Sequence, residues 1–276
     1  MYNKYEKYLI VLGDIRLMKE NKRNDSYCQQ NGDDFNYHGI KKALCGKTAS
    51  MNWGGVSGAC FTPKRILVIQ MEMTNEQREL ERQKEEKDNK QRQKNFEEYK
   101  QINSNHLKQL EEWTELKCDA LVFDSDIDDW SSFSSSLNDK IIGKKQLTFI
   151  VEDEDDEIFG LYFNTEVINH FYWTRTDSKS FHFNLKSKNN RLDNSMKFEI
   201  KNVFHGIRLY EQVYDWLIVL GDIKLMTKND KNESHCESQI EKNFDYHGIE
   251  NALCGKTWFN FSGYFTPKRI LVIQMK

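Results

Sequence analysis

A run of aspartates that follows a short hydrophobic segment has the greatest potential for chemistry in this chain. Residues 120–123 are apolar, and Asp124-Ser125-Asp126 comes directly after them. Phosphatase-type hydrolases place an aspartate nucleophile and a second aspartate two residues later at the end of a strand, beside a divalent metal. A metal-dependent phosphatase-like hydrolase at Asp124 and Asp126 is therefore one hypothesis for the function.

The residues that follow favour a non-catalytic role for the same segment. Asp128-Asp129-Trp130 stands where that class of hydrolase has apolar residues, and few strand–helix–strand alternations are present to build a parallel sheet. A calcium loop that began at Asp124 would need an acidic residue at Ser135. Carboxylates that cap helices and close turns explain the run without catalysis. The candidates for contact with a protein partner here are Asp124, Asp126, Asp128, Asp129 and Trp130.

A second acidic group, residues 152–157, separates two β-prone segments and reads Glu-Asp-Glu-Asp-Asp-Glu. Short β-prone segments on both sides of a polar run predict a hairpin. The loop is either a simple solvated turn or a surface for a protein partner. Its partner-binding candidates are Asp153, Asp155 and Asp156.

None of the six cysteines belongs to a CxxC pair. Cys254 precedes Gly255-Lys256, and a neighbouring ammonium would lower the pKa of a thiol, so Cys254 is a candidate for a thiol-based redox enzyme or sensor. The alternative is a small buried hydrophobic residue. Glu250 stands where a phosphate-binding loop needs glycine, which excludes nucleotide binding at Lys256. No metal site and no cofactor is predicted.

The composition excludes several classes of function. The chain has 276 residues and a formal net charge of −3, which gives no general attraction to nucleic acid. No apolar run approaches the length of about 20 residues that a membrane span requires. The start of the chain is charged and strand-like, so no signal peptide is expected and the predicted location is the cytoplasm.

The last part of the chain largely repeats its beginning. Residues 61–71 and 265–275 share the sequence FTPKRILVIQM, and residues 8–15 differ from 216–223 only at the first position. Residues 118–204 have no earlier copy. We therefore expect three regions: a partial duplicate of the C-terminal half of the domain at 1–73, a charged helical linker at 74–115, and a complete domain at 116–276.

The partial copy would expose strand edges if it folded alone. It could instead pair with residues 118–206 in place of 208–276, within one chain or between two chains, which would allow self-association. We expect the C-terminal copy to prevail within a chain, because its connection to residues 118–206 is short.

The charged linker should be helical. Thr74 and Gln77 have capping-box spacing, and Asp88 with Arg92 has i,i+4 spacing for an ion pair. Apolar residues appear only towards the end, at Phe96 and beyond, and they do not keep a heptad pattern. Either the last turns dock on the domain, or the helix forms a coiled coil that mediates self-association.

The complete domain is rich in short β-prone segments. Strands are predicted at 120–124, 146–151, 157–163, 181–185, 196–200, 216–220 and 269–275. Helices are predicted at 129–142 and 166–173, and alternation in residues 180–185 predicts that His182 points outward. The fold class is mainly β or α+β, an antiparallel β-sandwich flanked by a few helices and preceded by a long charged helix.

Four motifs in order make residues 116–275 similar to the TLDc domain family, and in particular to its amoebozoan members. The motifs are DSDIDDWS at 124–131, KQLTFI with IFG at 145–160, SFHFNL at 180–185 and YFTPKRILVI at 264–273. The resemblance implies a β-sandwich flanked by helices, an intracellular protein, a role in oxidative-stress resistance and contact with vacuolar proton pump subunits. The family supplies no catalytic residues, so the leading expectation is a non-enzymatic protein-interaction module.

Overall fold

A computed structural model describes the chain as two compact units, residues 1–73 and residues 74–276. In the first unit it describes the backbone of five strands. In the second unit it describes residues 74–132, 134–168, 173–187, 192, 194–210, 215–237, 243–249, 251–254 and 263–276.

The strands of the first unit form one antiparallel sheet in the order β1-β2-β3-β5-β4. They are β1 (Tyr8–Leu12), β2 (Ile15–Met18), β3 (Ser26–Gln29), β4 (Met51–Trp53) and β5 (Val56–Phe61). The β1–β2 pair has a bulge between Tyr8 and Ile10, and the equivalent pair of the second unit has one between Trp216 and Ile218. Similar local sequence thus gives the same register twice. Residues 62–71 lie outside the described residues, so the predicted pairing with residues 118–206 stays a prediction.

Two helices, α1 (Asn75–Ile102) and α2 (Ser104–Thr114), open the second unit. The predicted capping box is confirmed: the Gln77 amide donates to Thr74 Oγ1 at 3.2 Å, and the Thr74 amide donates to Gln77 Oε1 at 2.9 Å. The predicted Asp88–Arg92 pair is wrong, because Arg92 is buried and binds Asp128 instead. The buried Asp128 carboxylate attracts the guanidinium more strongly than the partly exposed Asp88 carboxylate of the same helix does.

Two antiparallel sheets follow, and the predicted strands are confirmed to within two residues at each end. Sheet I contains β6 (Cys118–Asp124), β7 (Leu147–Asp153), β8 (Ile158–Phe163), β10 (Phe181–Lys186), β11 (Met196–Glu199) and β17 (Pro267–Met275). Sheet II contains β9 (Trp173–Thr174), β12 (Ile207–Leu209), β13 (Trp216–Leu220), β14 (Ile223–Met226), β15 (His235–Cys236) and β16 (Gly263–Tyr264). Their orders are β11-β10-β8-β7-β17-β6 and β16-β15-β14-β13-β12-β9.

Sheet I is buried on both faces. On β7, Phe149 and Val151 belong to a cluster that includes sheet II, whereas Ile150 belongs to a second cluster with α1 and α2. The helices contribute Phe96, Tyr99, Leu107 and Leu110 to that second cluster. Sheet I therefore separates two hydrophobic layers, and the end of the charged segment is part of the core. The expectation of a mostly antiparallel β fold with a few helices is confirmed.

Glycine is required at position 160 by this close packing. A Cβ at Gly160 would lie 1.9 Å from the Phe149 carbonyl oxygen and 2.7 Å from the Phe183 ring. Any side chain there would separate β7 from β8, which are neighbours in the middle of sheet I.

Of the two predicted internal helices, the first is much shorter than predicted and the second is absent from the described residues. Helix α3 covers only Leu137–Ile141, because the serine-rich stretch before it forms turns: the Asp129 carboxylate accepts from the Ser131 amide at 2.9 Å, and its carbonyl accepts from the Ser136 amide at 2.8 Å. Residues 166–168 are not helical and Trp173 starts a strand. Residues 169–172 lie outside the described residues.

Candidate functional site

The aspartate loop, residues 124–130, begins at the carboxyl end of β6 and contacts α1. Asp124 is 0% exposed. Arg269 Nε donates to Asp124 Oδ1 at 3.1 Å, Arg269 Nη2 donates to Oδ2 at 2.8 Å, and Asn95 Nδ2 of α1 donates to Oδ2 at 3.0 Å. The loop therefore binds the last strand to the first helix through one carboxylate.

Asp124 is held in its ionised form by this arrangement. Burial alone would raise the pKa of Asp124, but the hydrogen bonds from Arg269 and Asn95 outweigh it and lower the pKa below its usual value. The amide of Asp126 also donates to Asp124 Oδ1 at 3.1 Å. With its oxygens so engaged and no exposed surface, the carboxylate is poorly placed to attack a substrate.

Asp128 makes a second connection to the helix. Its Oδ1 accepts from Arg92 Nη1 at 2.6 Å, and its Oδ2 accepts from the Asp124 amide at 2.9 Å. Lys140 Nζ lies 3.4 Å from the same Oδ1. Arg92 and Asp128 are both buried, so their ion pair is shielded from water.

The other candidates of the aspartate loop divide between surface and core. Asp126 and Asp129 are exposed, whereas Trp130 is 5% exposed and belongs to the cluster between the sheets. The Ser131 amide lowers the pKa of Asp129 by hydrogen bonding to its carboxylate. Direct partner contact is thus open to Asp126 and Asp129, and it is blocked by burial at Asp124, Asp128 and Trp130.

The acidic turn, residues 152–157, joins β7 to β8 as predicted. Asp153 is 0% exposed, and its Oδ1 accepts from the amides of Asp155 at 2.8 Å and Glu157 at 2.9 Å. Asp156 adopts φ +62° and is exposed, and Asp155 is partly exposed. Asp153 therefore shapes the turn, and of the three partner-binding candidates only Asp155 and Asp156 present surface.

The thiol of Cys254 is inside the protein. Cys254 is 1% exposed, and its Sγ lies 3.2 Å from the Gly263 carbonyl oxygen. Burial, followed by the neighbouring Cys254, raises the pKa of Cys236 well above its usual value. Both thiols are buried, in contrast to the exposed and electropositive setting of reactive cysteines.

A buried polar chain links the two sheets, and the sequence reasoning missed it. His182 is 0% exposed, so its predicted outward direction is wrong. Its Nε2 lies 2.9 Å from the Leu220 carbonyl oxygen and its Nδ1 lies 2.9 Å from Tyr246 Oη, which lies 3.0 Å from Asp222 Oδ2. Phe244 stacks on the imidazole with ring centroids 3.6 Å apart.

Burial favours the uncharged forms of the two ends of this chain. It lowers the pKa of His182 to about 3 and raises the pKa of Asp222. A neutral imidazole that donates from Nε2 to Leu220 leaves Nδ1 as an acceptor, and the single proton of the Tyr246 hydroxyl can then go either to that nitrogen or to Asp222. Gly221 is required beside it, because a Cβ there would lie 2.5 Å from the Phe244 ring and 2.9 Å from His182 Nε2.

Other features of the described residues limit the chemistry. They contain no group of three or more histidine, cysteine or acidic side chains that could hold a metal ion. No helix in the described part of the chain is long and apolar enough to cross a membrane.

Neither a scan against protein-family models nor a search of curated proteins found a similar sequence.

Proposed function

We propose that residues 74–276 form a non-enzymatic protein-interaction module of the TLDc-like type. The observation that supports it best is the use of Asp124 and Asp128 inside the fold, where they bind α1 and β17. The residues that most resemble catalytic acids are thereby explained by structure. The exposed acids beside them remain for contact with a partner.

The order of the layers agrees with this proposal. Side chains from sheets I and II meet in one hydrophobic cluster, which supports a sandwich with α1 and α2 on the outer face of sheet I. The further implications of the resemblance are a cytoplasmic location, oxidative-stress resistance and association with vacuolar proton pump subunits. Self-association through residues 1–73 or through the exposed first half of α1, including a coiled coil, belongs to the same proposal.

The partner surface combines the exposed acids of the aspartate loop and the acidic turn. We expect the quadruple variant Asp126→Asn/Asp129→Asn/Asp155→Asn/Asp156→Asn to capture about tenfold less partner than the wild-type chain in affinity purification from native cells. Loss of several contacts that each contribute up to about 1 kcal/mol gives an effect of this size.

The control variant is Glu76→Gln/Glu81→Gln, which removes charges from the exposed first turns of α1. It should capture the partner like the wild type. Equal capture by the quadruple variant and the wild type would exclude this surface. A truncated chain for the same experiment should begin at Thr74, because removal of α1 and α2 would uncover the apolar face of sheet I.

The hydrolase and redox alternatives predict different experimental results. A magnesium-stimulated phosphatase activity that disappears in Asp124→Asn would contradict the non-enzymatic assignment. Rapid alkylation of Cys254 in the folded protein would favour the thiol chemistry.

A further inference from the structure

A cleft of about 350 Å³ separates α1 from the edge of the acidic surface. Tyr99 and Ile102 of α1 line one side of it. Asp126 of the aspartate loop, Glu152 at the end of β7 and Arg269 of β17 line the other. The cleft thus joins the two acidic segments that the proposed function assigns to partner contact.

The charge of the cleft is negative. Arg269 is its basic residue, and the buried Asp124 neutralises that guanidinium through two hydrogen bonds. Asp126 Oδ2 lies 3.3 Å from Arg269 Nε but keeps an exposed carboxylate. Glu152, which lies across the strand pair from Arg269, adds a second carboxylate. Glu98 adds a third at the rim, where Lys94 lies 3.8 Å away.

The hydroxyl of Tyr99 gives an independent indication of a ligand. Tyr99 is 3% exposed, and among the described residues its oxygen has no well-aligned hydrogen-bond partner, although the Glu152 carboxylate is close enough to act on it. A buried hydroxyl whose hydrogen bond is poorly formed loses part of the roughly 1–3 kcal/mol that a full hydrogen bond recovers on burial. Burial, then the charge of Glu152 and a hydrogen bond to it, raise the pKa of Tyr99, so the hydroxyl stays protonated beside that carboxylate.

An apolar surface completes the cleft. Ile102 is 81% exposed, although it ends a helix whose other large apolar residues are mostly buried. Lysine and arginine side chains combine a charged head with an apolar stem, and such stems pack on exposed aliphatic surface. Acids at the base and an isoleucine at the mouth match that distribution.

We propose that this cleft receives a lysine or arginine side chain from a basic segment of the partner, with its head group between Asp126, Glu152 and the Tyr99 oxygen and its stem on Ile102. The proposal rests on the interaction module described above and names the chemistry of its partner. It assigns Tyr99 and Ile102 to recognition, which the sequence motifs did not indicate, and it gives a specific role to Glu152 of the acidic turn.

The test measures fluorescence anisotropy of fluorescein-labelled Gly-Ser-Arg, Gly-Ser-Lys and Gly-Ser-Gln repeat peptides with the full chain. At least one basic peptide should bind, and the glutamine peptide should bind at least about tenfold more weakly. The variant Asp126→Asn/Glu152→Gln should weaken the basic peptide about tenfold. The matched variant Glu76→Gln/Glu81→Gln removes two charges from the exposed first turns of α1 and should change affinity less than about twofold.

The variant Tyr99→Phe distinguishes a role of the hydroxyl in peptide binding from a role in stability. Removal of a buried hydroxyl that has no well-aligned partner should leave the unfolding midpoint unchanged or higher, while the basic peptide binds about threefold more weakly. A structural role alone would instead lower the midpoint without a change in affinity, and that result would overturn the proposal.

Two other results would also overturn the cleft assignment: equal binding of the basic and glutamine peptides, or equal loss in the two double variants. Because the peptides test the cleft without any cellular protein, such a failure leaves partner capture by the aspartate loop and the acidic turn standing. Failure of capture from cells with intact peptide binding would reject the interaction module instead.

Discussion

Replacing Asp124 by alanine is expected to lower the free energy of unfolding by about 3–5 kcal/mol. The change leaves Arg269 with its guanidinium partly buried and without its main partner, and it removes the acceptor of Asn95. It also removes the acceptor that orders the Asp126 amide. Equilibrium denaturation of the wild type and the variant gives the difference directly.

Two further variants show which interaction causes the loss of unfolding free energy in Asp124→Ala. Asp124→Asn keeps the shape and an acceptor for Asn95 but removes the charge, so its loss should be smaller than that of alanine. Asp156→Asn, at an exposed position of the acidic turn, should change the free energy of unfolding by less than about 0.5 kcal/mol. A stable Asp124→Ala protein would show that the aspartate loop does not hold the helix and the last strand together.

The second large effect concerns pH. The pKa of His182 is lowered from 6.5 to about 3 by burial, so between these values the unfolded chain binds a proton that the folded chain does not. Stability should therefore fall as the pH falls below 6.5, by about 1.4 kcal/mol per pH unit and by about 3 kcal/mol in total at pH 4. Denaturant midpoints measured from pH 7 to pH 4 test this slope.

Other groups contribute to the pH profile in known directions. Burial and then Lys186 lower the pKa of His106, which adds a loss of the same sign. Asp222 acts in the opposite direction, because its raised pKa removes stability as the pH rises through its folded value.

Two histidine variants isolate the His182 contribution. His182→Gln should reduce the acid slope by about 1.4 kcal/mol per pH unit, whatever its effect at pH 7. His247→Gln, which replaces an exposed imidazole, is the control for the substitution of a histidine as such. An unchanged slope in His182→Gln would mean that the buried imidazole is already charged in the folded protein.

Local sequence patterns were sufficient for the strands of the second unit. Short β-branched and aromatic segments between polar turns predicted the seven named strands, and the capping box predicted the start of α1. Such patterns depend on residues within a few positions of each other. The same reasoning failed at 129–142, where a serine-rich stretch satisfies its hydrogen bonds in turns rather than in a helix.

The direction of His182 depends on contacts that no local pattern reports. Alternation along residues 180–185 predicts one buried and one exposed face, but sheet I is covered on both faces. His182 meets Leu220 and Tyr246, which are 38 and 64 residues away in the chain. The glycine at 221 and the Tyr-His-Gly turn at 246–248 were visible in the sequence, but their meeting point was not.

The aspartate loop shows the same limit for the candidate site. The sequence gives the spacing of Asp124, Asp126 and Asp128, which suits catalysis, turns or ion pairs equally well. Their roles depend on the partner that each carboxylate meets. Arg92, 36 residues before Asp128, binds Asp128, and Arg269, 145 residues after Asp124, binds Asp124. Arg92 in particular looked like part of a solvated helix, since its neighbours from Arg78 to Gln93 are almost all polar.

Amide hydrogen exchange along α1 and α2 tests most directly whether the aspartate loop anchors these helices to the domain. Residues 92–110 of the wild type should exchange as slowly as sheet I, while residues 75–88 exchange quickly, and Asp124→Ala should release the protected part. Fast exchange throughout residues 75–114 of the wild-type chain would contradict the account, because Asp124 and Asp128 would then not hold α1 against the domain.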